Sequence, residues 1–359
     1  MKRSTQVTLT SISLLLLAAA IWWASGNLNS YYSRVANTAA IYITAAVSFN
    51  LINGVVGELS LGPNGFMALG GYTAAILLLP VAQKEMVYFL EPMVWPLGSF
   101  SLPPQLFIVA LLAAGIIAGI GAFIVGWPCL RLKGDYLAIA TFGFGEIIIV
   151  LANNLLSVTN GALGIKGLPE LTNLWWTWGT AVVTILVVKN LVNSTYGRAM
   201  RAIRDNEVAA EAMGINVTKT KMIAFVVSGF FGGVSGALLT ILISTISPTL
   251  FMFTMTFNLL IIIVLGGLGS ITGSVLTAII FTVLQELLRT VEAPFSLGFI
   301  QLPGVPGMRM VVFSALLVVL MLYYRKGICG SWEFSWEWLL RKLGRKEVDQ
   351  WNQPMQDQY

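Results

Sequence analysis

The residues whose types could support chemistry are concentrated in one charged stretch, Tyr196–Asn216, which reads YGRAMRAIRDNEVAAEAMGIN. The rest of the 359-residue chain is apolar, since 57% of all residues are hydrophobic and only 10% are charged. Helical spacing brings unlike charges together within the stretch, because Arg201 and Asp205 are four residues apart. Gly214 stands where a glycine commonly ends a helix. We therefore expect one short helix ending at a glycine turn.

Apolar residues follow a seven-residue rhythm along the same stretch. They are Ala199, Ile203, Ala210 and Met213, and Asn206 interrupts the pattern. A helix of this kind has one apolar stripe to bury. The stripe either packs on the protein's own helix ends or docks into a groove of a partner protein.

Several kinds of chemistry are excluded by residue types. Histidine is absent, which removes histidine-dependent triads and histidine metal sites. The chain has no G-x-x-x-x-G-K-[ST] loop that would cradle a nucleotide phosphate. Cys129 and Cys329 both fall at predicted cytoplasmic helix ends, so no disulfide is expected. We expect no catalytic residues, no metal site, no cofactor in this chain and no nucleic-acid partner.

Two segments combine glycine with polar residues inside apolar surroundings. They are Asn50–Gly71 and Asn258–Gly273, and each begins with Asn-Leu before a Gly/Ser break, a weak sign of an internal repeat. Broken helices expose polar backbone that cannot face lipid, so these segments are candidates for a substrate pathway, with close helix packing as the alternative.

Glu146 adds a carboxylate well inside a predicted span, where it is either functional or hydrated near the interface. The candidate pathway residues are Asn50, Gly57, Ser60, Gly62, Glu146, Gly266, Gly267, Gly269 and Ser270.

Apolar runs long enough to cross a bilayer recur along the chain and predict an all-α, polytopic transmembrane helical bundle with about ten spans. The two spans after Thr256 are interrupted by glycines and are broken or re-entrant in one interpretation. The predicted spans are 9–25, 35–53, 65–82, 105–127, 136–152, 174–191, 221–245, 257–271, 273–290 and 309–324.

Basic residues predict the orientation. With both termini in the cytoplasm, 16 of the 21 Lys and Arg residues face the cytoplasm and 5 face outward. The first apolar run is expected to stay as a helix rather than to be cleaved as a secretory signal. We expect a membrane domain over residues 1–330, with a cytoplasmic loop at 195–220, and a cytoplasmic tail over 331–359 that is amphipathic and partly disordered.

The charged stretch resembles a known element. Glu207–Gly214, EVAAEAMG, resembles the EAA coupling loop of ABC importer permeases, although Val208 stands where that pattern has glutamate. The longer run YGRAMRAIRDNEVAAEAMGINVTKTKMIAF is similar to the corresponding loop of branched-chain amino-acid ABC permeases of the LivH/LivM type. Segments similar to the LivM side follow in the family's order, and they are NLINGVVGELSLGPNGFMALGGYTAA, LRLKGDYLAIATFGFGEI, TNGALGIKGLP, SPTLF and VLGGLGSITGSVLTA.

The resemblance implies a function and a set of partners. It implies an inner-membrane permease subunit of an importer for branched-chain or other neutral amino acids, which forms half of the pathway. Implied partners are a second, LivH-type permease, two ABC ATPase subunits that bind ATP and Mg, a periplasmic amino-acid-binding protein and membrane lipid. The implied coupling residues are Arg198, Arg201, Arg204, Asp205, Glu207, Ala209, Ala210, Glu211 and Gly214.

Two alternatives remain open on the sequence. Related permeases for urea or short amides share these motifs, and Pro63 and Asn64 follow Gly62 where the family often has histidine. A different class is a stand-alone secondary transporter or channel in which Glu146 relays protons or cations. A membrane-anchored enzyme is disfavoured because no soluble domain or catalytic cluster is evident.

Overall fold

The computed structural model describes residues 3–292 without interruption. Beyond them it describes 295–297, 300–302, 307, 311–312, 314–315, 318, 327–330 and 332–333. The predicted tail over 331–359 and the predicted tenth span, 309–324, therefore lie almost entirely outside the described residues.

Helices dominate the described part of the chain. They are α1 (Arg3–Asn27), α2 (Ser30–Asn50), α3 (Pro63–Leu78), α4 (Val81–Val87), α5 (Phe107–Cys129), α6 (Asp135–Asn154), α7 (Leu156–Thr159), α8 (Leu174–Asn193), α9 (Thr195–Asp205), α10 (Glu207–Ala212), α11 (Val217–Ile243), α12 (Phe253–Gly266) and α13 (Ile271–Glu292). A π-helical segment, Leu51–Val56, continues α2, and 3-10 turns cover Pro104–Leu106, Gly161–Leu163 and Pro248–Phe251.

Strands are short. β1 (Ile165–Lys166) pairs antiparallel with β2 (Thr245–Ile246), and β3 (Phe295–Leu297) pairs antiparallel with β4 (Ile300–Leu302). The predicted all-α polytopic bundle is confirmed, because eight helices within the described residues are long and apolar enough to cross a membrane.

One bent helix pair within the described residues is either a broken span or a re-entrant loop. α3 and α4 together are long and apolar enough to span, but they meet at an angle of 117°. The bend lies at Pro80, which cannot continue a helical hydrogen-bond ladder and disfavours helical geometry in the residue before it. The sequence predicted one continuous span over 65–82, and the proline decides against that interpretation.

α11 lies at the centre of the bundle and packs against α2, α3 and α5. Glycines allow the closest approaches: a Cβ added at Gly70 would overlap the backbone of Gly233, and one at Gly236 would lie 2.6 Å from the carbonyl carbon of Met67. Small residues at such crossings let helix backbones approach closely. Close packing matters in a membrane, because lipid tails are as apolar as the side chains and the hydrophobic effect does not drive helices together.

The two ends of the bundle differ. The helices α9 and α10 lie at one end, here called the α9–α10 end, where Lys133 lies 3.7 Å from Glu207. The β1–β2 pair lies beyond the other terminus of α11. The predicted orientation, with the α9–α10 end in the cytoplasm, stays a prediction.

Candidate functional site

The charged stretch forms two helices rather than the single predicted one. Asn206 separates α9 from α10 with an extended backbone, and its Oδ1 accepts a hydrogen bond of 3.0 Å from the backbone nitrogen of Ala209. An asparagine side chain in this position caps the N-terminus of the following helix. Gly214 then ends α10 with a φ of +82°, and Ile215 N–H donates to the carbonyl of Ala210, the expected glycine turn.

The apolar stripe of this stretch is divided between two sides. Met200, Ile203 and Ala210 are buried against the bundle, so the inner side of α9–α10 packs on the protein itself. Val208 and Met213 are 71% and 83% exposed on the outer side. Packing on the protein's own helices therefore holds for one apolar side of the stretch, and docking of the smaller exposed side into a partner stays a prediction.

The charged residues are divided in the same way. Arg198 and Arg201 are exposed: Arg198 donates to Thr195 Oγ1 at the start of α9 at 3.1 Å, and Arg201 donates to the carbonyl of Val192 at the end of α8 at 3.2 Å. The remaining outward-facing residues of the predicted coupling set are Asp205, Ala209, Glu211 and Gly214.

Arg204 contacts both the surface and the bundle, since its side chain is 40% exposed and lies 3.4 Å from Asp205 Oδ1. Its guanidinium donates to the carbonyl of Gly54 at 3.2 Å, while its aliphatic stem covers Gly57. Gly57 has a φ of +83° and ends the π-helical segment, so a side chain there would be strained and would overlap Arg204. Arg204 thereby joins α9 to the end of α2.

Lys221 ties together the same elements from the other side. Its ammonium lies 3.1 Å from Oε2 of Glu207 and also contacts Oε1 of Glu58. The Lys221 side chain is only 2% exposed, so a charge at this depth requires partners. This buried cluster connects α10, α11 and the segment that follows the π-helix. Sequence reasoning did not pair Lys221 with Glu58, although the sequence places both residues beside apolar runs.

The two broken segments contact each other. The Asn50 side chain donates to Ser270 O at 3.0 Å and Ser274 Oγ at 2.8 Å, and it accepts from Gly269 N at 2.9 Å. A Cβ added at Gly54 would overlap the nitrogen of Gly269 and lie 2.7 Å from its Cα. We call Asn50–Gly57 the first break and Gly266–Ser270 the second break, and they form one polar contact inside the bundle.

The other predicted pathway residues lie in the second break, beside the first break or against α6. Gly266 and Gly267 belong to the second break, and Gly266 packs on the backbone of Gly273. Ser60 is buried and shares backbone-to-side-chain bonds of 3.4 Å with Asn53. Gly62 lies against α6, where a Cβ would come within 2.6 Å of Thr141 O.

Glu146 forms a separate polar contact between α6 and α3. Its Oε1 accepts a bond of 3.3 Å from Nδ2 of Asn64, which is fully buried and also donates to Phe251 O at 3.3 Å. Neither of these two contacts involves the two breaks or α9–α10. Glu146 is partly exposed, and Asn64 is the residue that sequence reasoning did not connect to it.

The chain matches the family model described as branched-chain amino acid transport system / permease component over residues 31–321. It is 30% identical over 253 residues to the high-affinity branched-chain amino acid transport system permease protein LivM of Salmonella typhimurium, covering 61% of this chain and 54% of that protein. The chain thus spans about half the length of the curated relatives it matches.

Two further relatives match smaller shares of the chain, and one of them carries another cargo name. The probable branched-chain amino acid permease LivM of Methanocaldococcus jannaschii is 27% identical over 143 residues, covering 36% of this chain and 41% of that protein. The fructose import permease protein FrcC of Rhizobium meliloti is 28% identical over 166 residues, covering 42% of this chain and 44% of that protein. The resemblance drawn from the motifs is confirmed by these matches.

Proposed function

The chain belongs to the family of permease components of branched-chain amino acid transport systems, and from that premise we propose that it is a transmembrane permease subunit of an ABC importer. The cargo in this proposal is a branched-chain or other neutral amino acid. The chain forms half of the translocation pathway and performs no catalysis. Names of the curated relatives support amino acids over urea or short amides as cargo.

The proposed location is the inner membrane, with both termini and the α9–α10 end in the cytoplasm. The spans within the described residues support a multi-pass membrane protein. The clustering of Arg198, Arg201, Arg204, Lys133 and Lys221 at one end supports the orientation, because basic residues are enriched on the cytoplasmic side.

The proposed partners are two ATPase subunits that bind ATP and Mg, a second permease of the LivH type and a periplasmic amino-acid-binding protein. The observation that carries the ATPase contact is the outward side of α9–α10. A short, otherwise polar helix pair presents Val208 and Met213 to the outside, which suits insertion into an apolar cleft of a partner.

Motion of α9–α10 would reach the interior through two contacts. Arg204 binds the first break directly, and Lys221 joins Glu207 of α10 to Glu58 beside that break. Since the first break contacts the second through Asn50, a displacement of α9–α10 by the ATPase is passed to both breaks. The proposed pathway therefore opens or closes where the backbone is already irregular.

Reconstitution tests the proposed function. The full complex in liposomes, supplied with ATP and the binding protein, is expected to take up radiolabelled leucine, with glycine, glutamine and urea as competitors. The chain alone is expected to transport none of them under a proton gradient. Uptake by the chain alone that disappears in Glu146→Gln would show a stand-alone secondary transporter instead.

Met213→Asp is expected to weaken ATPase binding on the order of 30-fold. The variant loses an apolar contact and places a charge in an apolar cleft, which together cost about 2 kcal/mol or more of binding free energy. Val208→Asp should act in the same direction. Both side chains are exposed in this chain, so its folding and membrane insertion should be unchanged. The measurement is binding of the purified ATPase subunit to the permease pair in nanodiscs, together with transport.

Leu132→Asp provides the matched control, because Leu132 is 40% exposed and lies next to Lys133 at the same end of the bundle. This variant should bind the ATPase normally. Equal binding by Met213→Asp, Val208→Asp and the unmodified chain would place the ATPase contact elsewhere.

A further inference from the structure

A short piece of chain far along the sequence lies against the second break. We call residues 327–330 and 332–333 the C-terminal strap. Ile328 N–H donates to Leu265 O at 2.7 Å, and Cys329 N–H donates to Gly266 O at 3.3 Å. These two carbonyls end α12, where the last carbonyls of a helix have no partner within it. The strap therefore completes the C-terminus of α12.

The same strap completes the N-terminus of α13. The Glu333 carboxylate accepts from the backbone nitrogens of Ile271 and Thr272, the latter at 3.3 Å, and from Thr272 Oγ1 at 2.7 Å. Ser270 Oγ donates to Trp332 O at 2.8 Å and accepts from Gly273 N–H at 3.0 Å. A carboxylate at this position is stabilised by charged hydrogen bonds and by the helix dipole.

Glycines let the strap approach this closely. Gly327 has a φ of +75°, and a Cβ there would lie 2.6 Å from the nitrogen of Gly267. Gly267, with a φ of +108°, faces Gly330 in turn. Backbone thus lies directly on backbone across the second break, which any added side chain would prevent.

The second break is therefore held from two sides. Asn50 of the first break binds Gly269 and Ser270, and the strap binds Leu265, Gly266, Ile271 and Thr272. Gly266 and Ser270 are buried, where an unpaired polar group is costly, so a rearrangement of the second break requires the strap either to detach or to move with it.

We propose that the C-terminal strap controls the second break during transport, with Glu333 as the positioning residue that holds the start of α13. This inference rests on the proposed function, because the movement it controls is that of the importer's pathway. The strap detaches when the breaks rearrange and reattaches when they return. The predicted boundary between membrane domain and tail, at residue 330, falls inside this strap.

Cys329 supplies a built-in probe of detachment. It lies within the strap and is partly exposed, whereas Cys129 is buried, so a Cys129→Ala chain reports on Cys329 alone. Burial and the nearby Glu333 carboxylate raise the pKa of the Cys329 thiol. Labelling with an organomercurial, which also attacks the protonated thiol, is therefore measured against pH, and rates are compared on the pH-independent plateau, where the rate reports access.

The experiment uses the full complex with and without ATP, in the Cys129→Ala background. Glu333→Gln is expected to raise the plateau labelling rate about tenfold, as the loss of a charged hydrogen bond would raise the detached population. It should also lower the amount of leucine transported per ATP hydrolysed. ATP binding should raise the labelling rate in the unmodified complex, because the strap detaches during the transport cycle.

Glu337→Gln is the matched control, since it removes the same charge four residues further along the chain. It should change neither the labelling rate nor the transport-to-ATP ratio. Equal plateau rates and equal ratios in Glu333→Gln and the unmodified complex would overturn the proposal. If the unmodified complex transports no amino acid, the proposed function is wrong. A labelling rate that is the same with and without ATP would then also overturn the proposed control of the second break by the strap.

Discussion

Lys221→Met is expected to destabilise the folded chain by about 3–5 kcal/mol, because it removes the central cation of a buried ion cluster and leaves two acids without it. Glu58 and Glu207 side chains are 14% and 27% exposed, so Glu58 in particular has little water to replace the lost partner. Within the described residues, Glu207 then keeps Lys133 as its one cation, at 3.7 Å. The measurement is thermal unfolding of the purified chain in detergent, together with the amount of folded protein in the membrane.

Two further variants separate charge from packing. Lys219→Met removes a lysine that is exposed two residues away, and it should leave the unfolding temperature close to that of the parent. Lys221→Met combined with Glu58→Gln removes the unpaired acid and should recover much of the lost stability. An unfolding temperature in Lys221→Met equal to that of the parent would show that the ion cluster does not hold these elements together.

Gly54→Ala is expected to lower transport at least about tenfold while the helices still insert. The added methyl group would overlap Gly269 N and the Asn50 side chain, so the two breaks must separate. Overpacking of this kind costs roughly 1–3 kcal/mol. Uptake by the reconstituted complex, normalised to folded protein, measures the effect.

Two glycines serve as controls for this substitution. No atom of the described part of the chain lies within 4 Å of a Cβ added at Gly143, which is inside α6, so alanine there should be neutral or slightly stabilising. Gly70→Ala would overlap Gly233 at a helix crossing away from the breaks, so it should lower stability without lowering transport per folded molecule. Normal transport by Gly54→Ala would show that contact between the two breaks is not needed.

Hydropathy and local backbone preferences predict much of the fold. Most predicted spans coincide with helices within a few residues, because twenty or so apolar residues in a row can hardly form anything else in a bilayer. The glycine stop at Gly214 also follows from local backbone preference. Asn206 marked a disturbance in the apolar rhythm, but only the structure shows that it ends one helix and caps the next.

The candidate site was only partly accessible from the sequence. Both breaks were recognisable by their glycine and polar residues, yet their mutual contact joins Asn50 to Ser270 across 220 positions. The pairing of Lys221 with Glu58 spans 163 positions, and the contact of Glu333 with Thr272 spans 61. No periodicity or composition encodes which distant partner a buried polar group will meet.

The amino-acid sequence alone determined that this chain folds in a membrane. It also determined the approximate bounds of its helices and the family to which the chain belongs. These properties depend on neighbouring residues and on local motifs. Tertiary structure alone decided which side of α9–α10 is buried, which acids pair with Lys221 and which segment covers the second break. Those outcomes depend on segments brought together by packing, and the cost of unpaired polar groups away from water makes the resulting contacts specific.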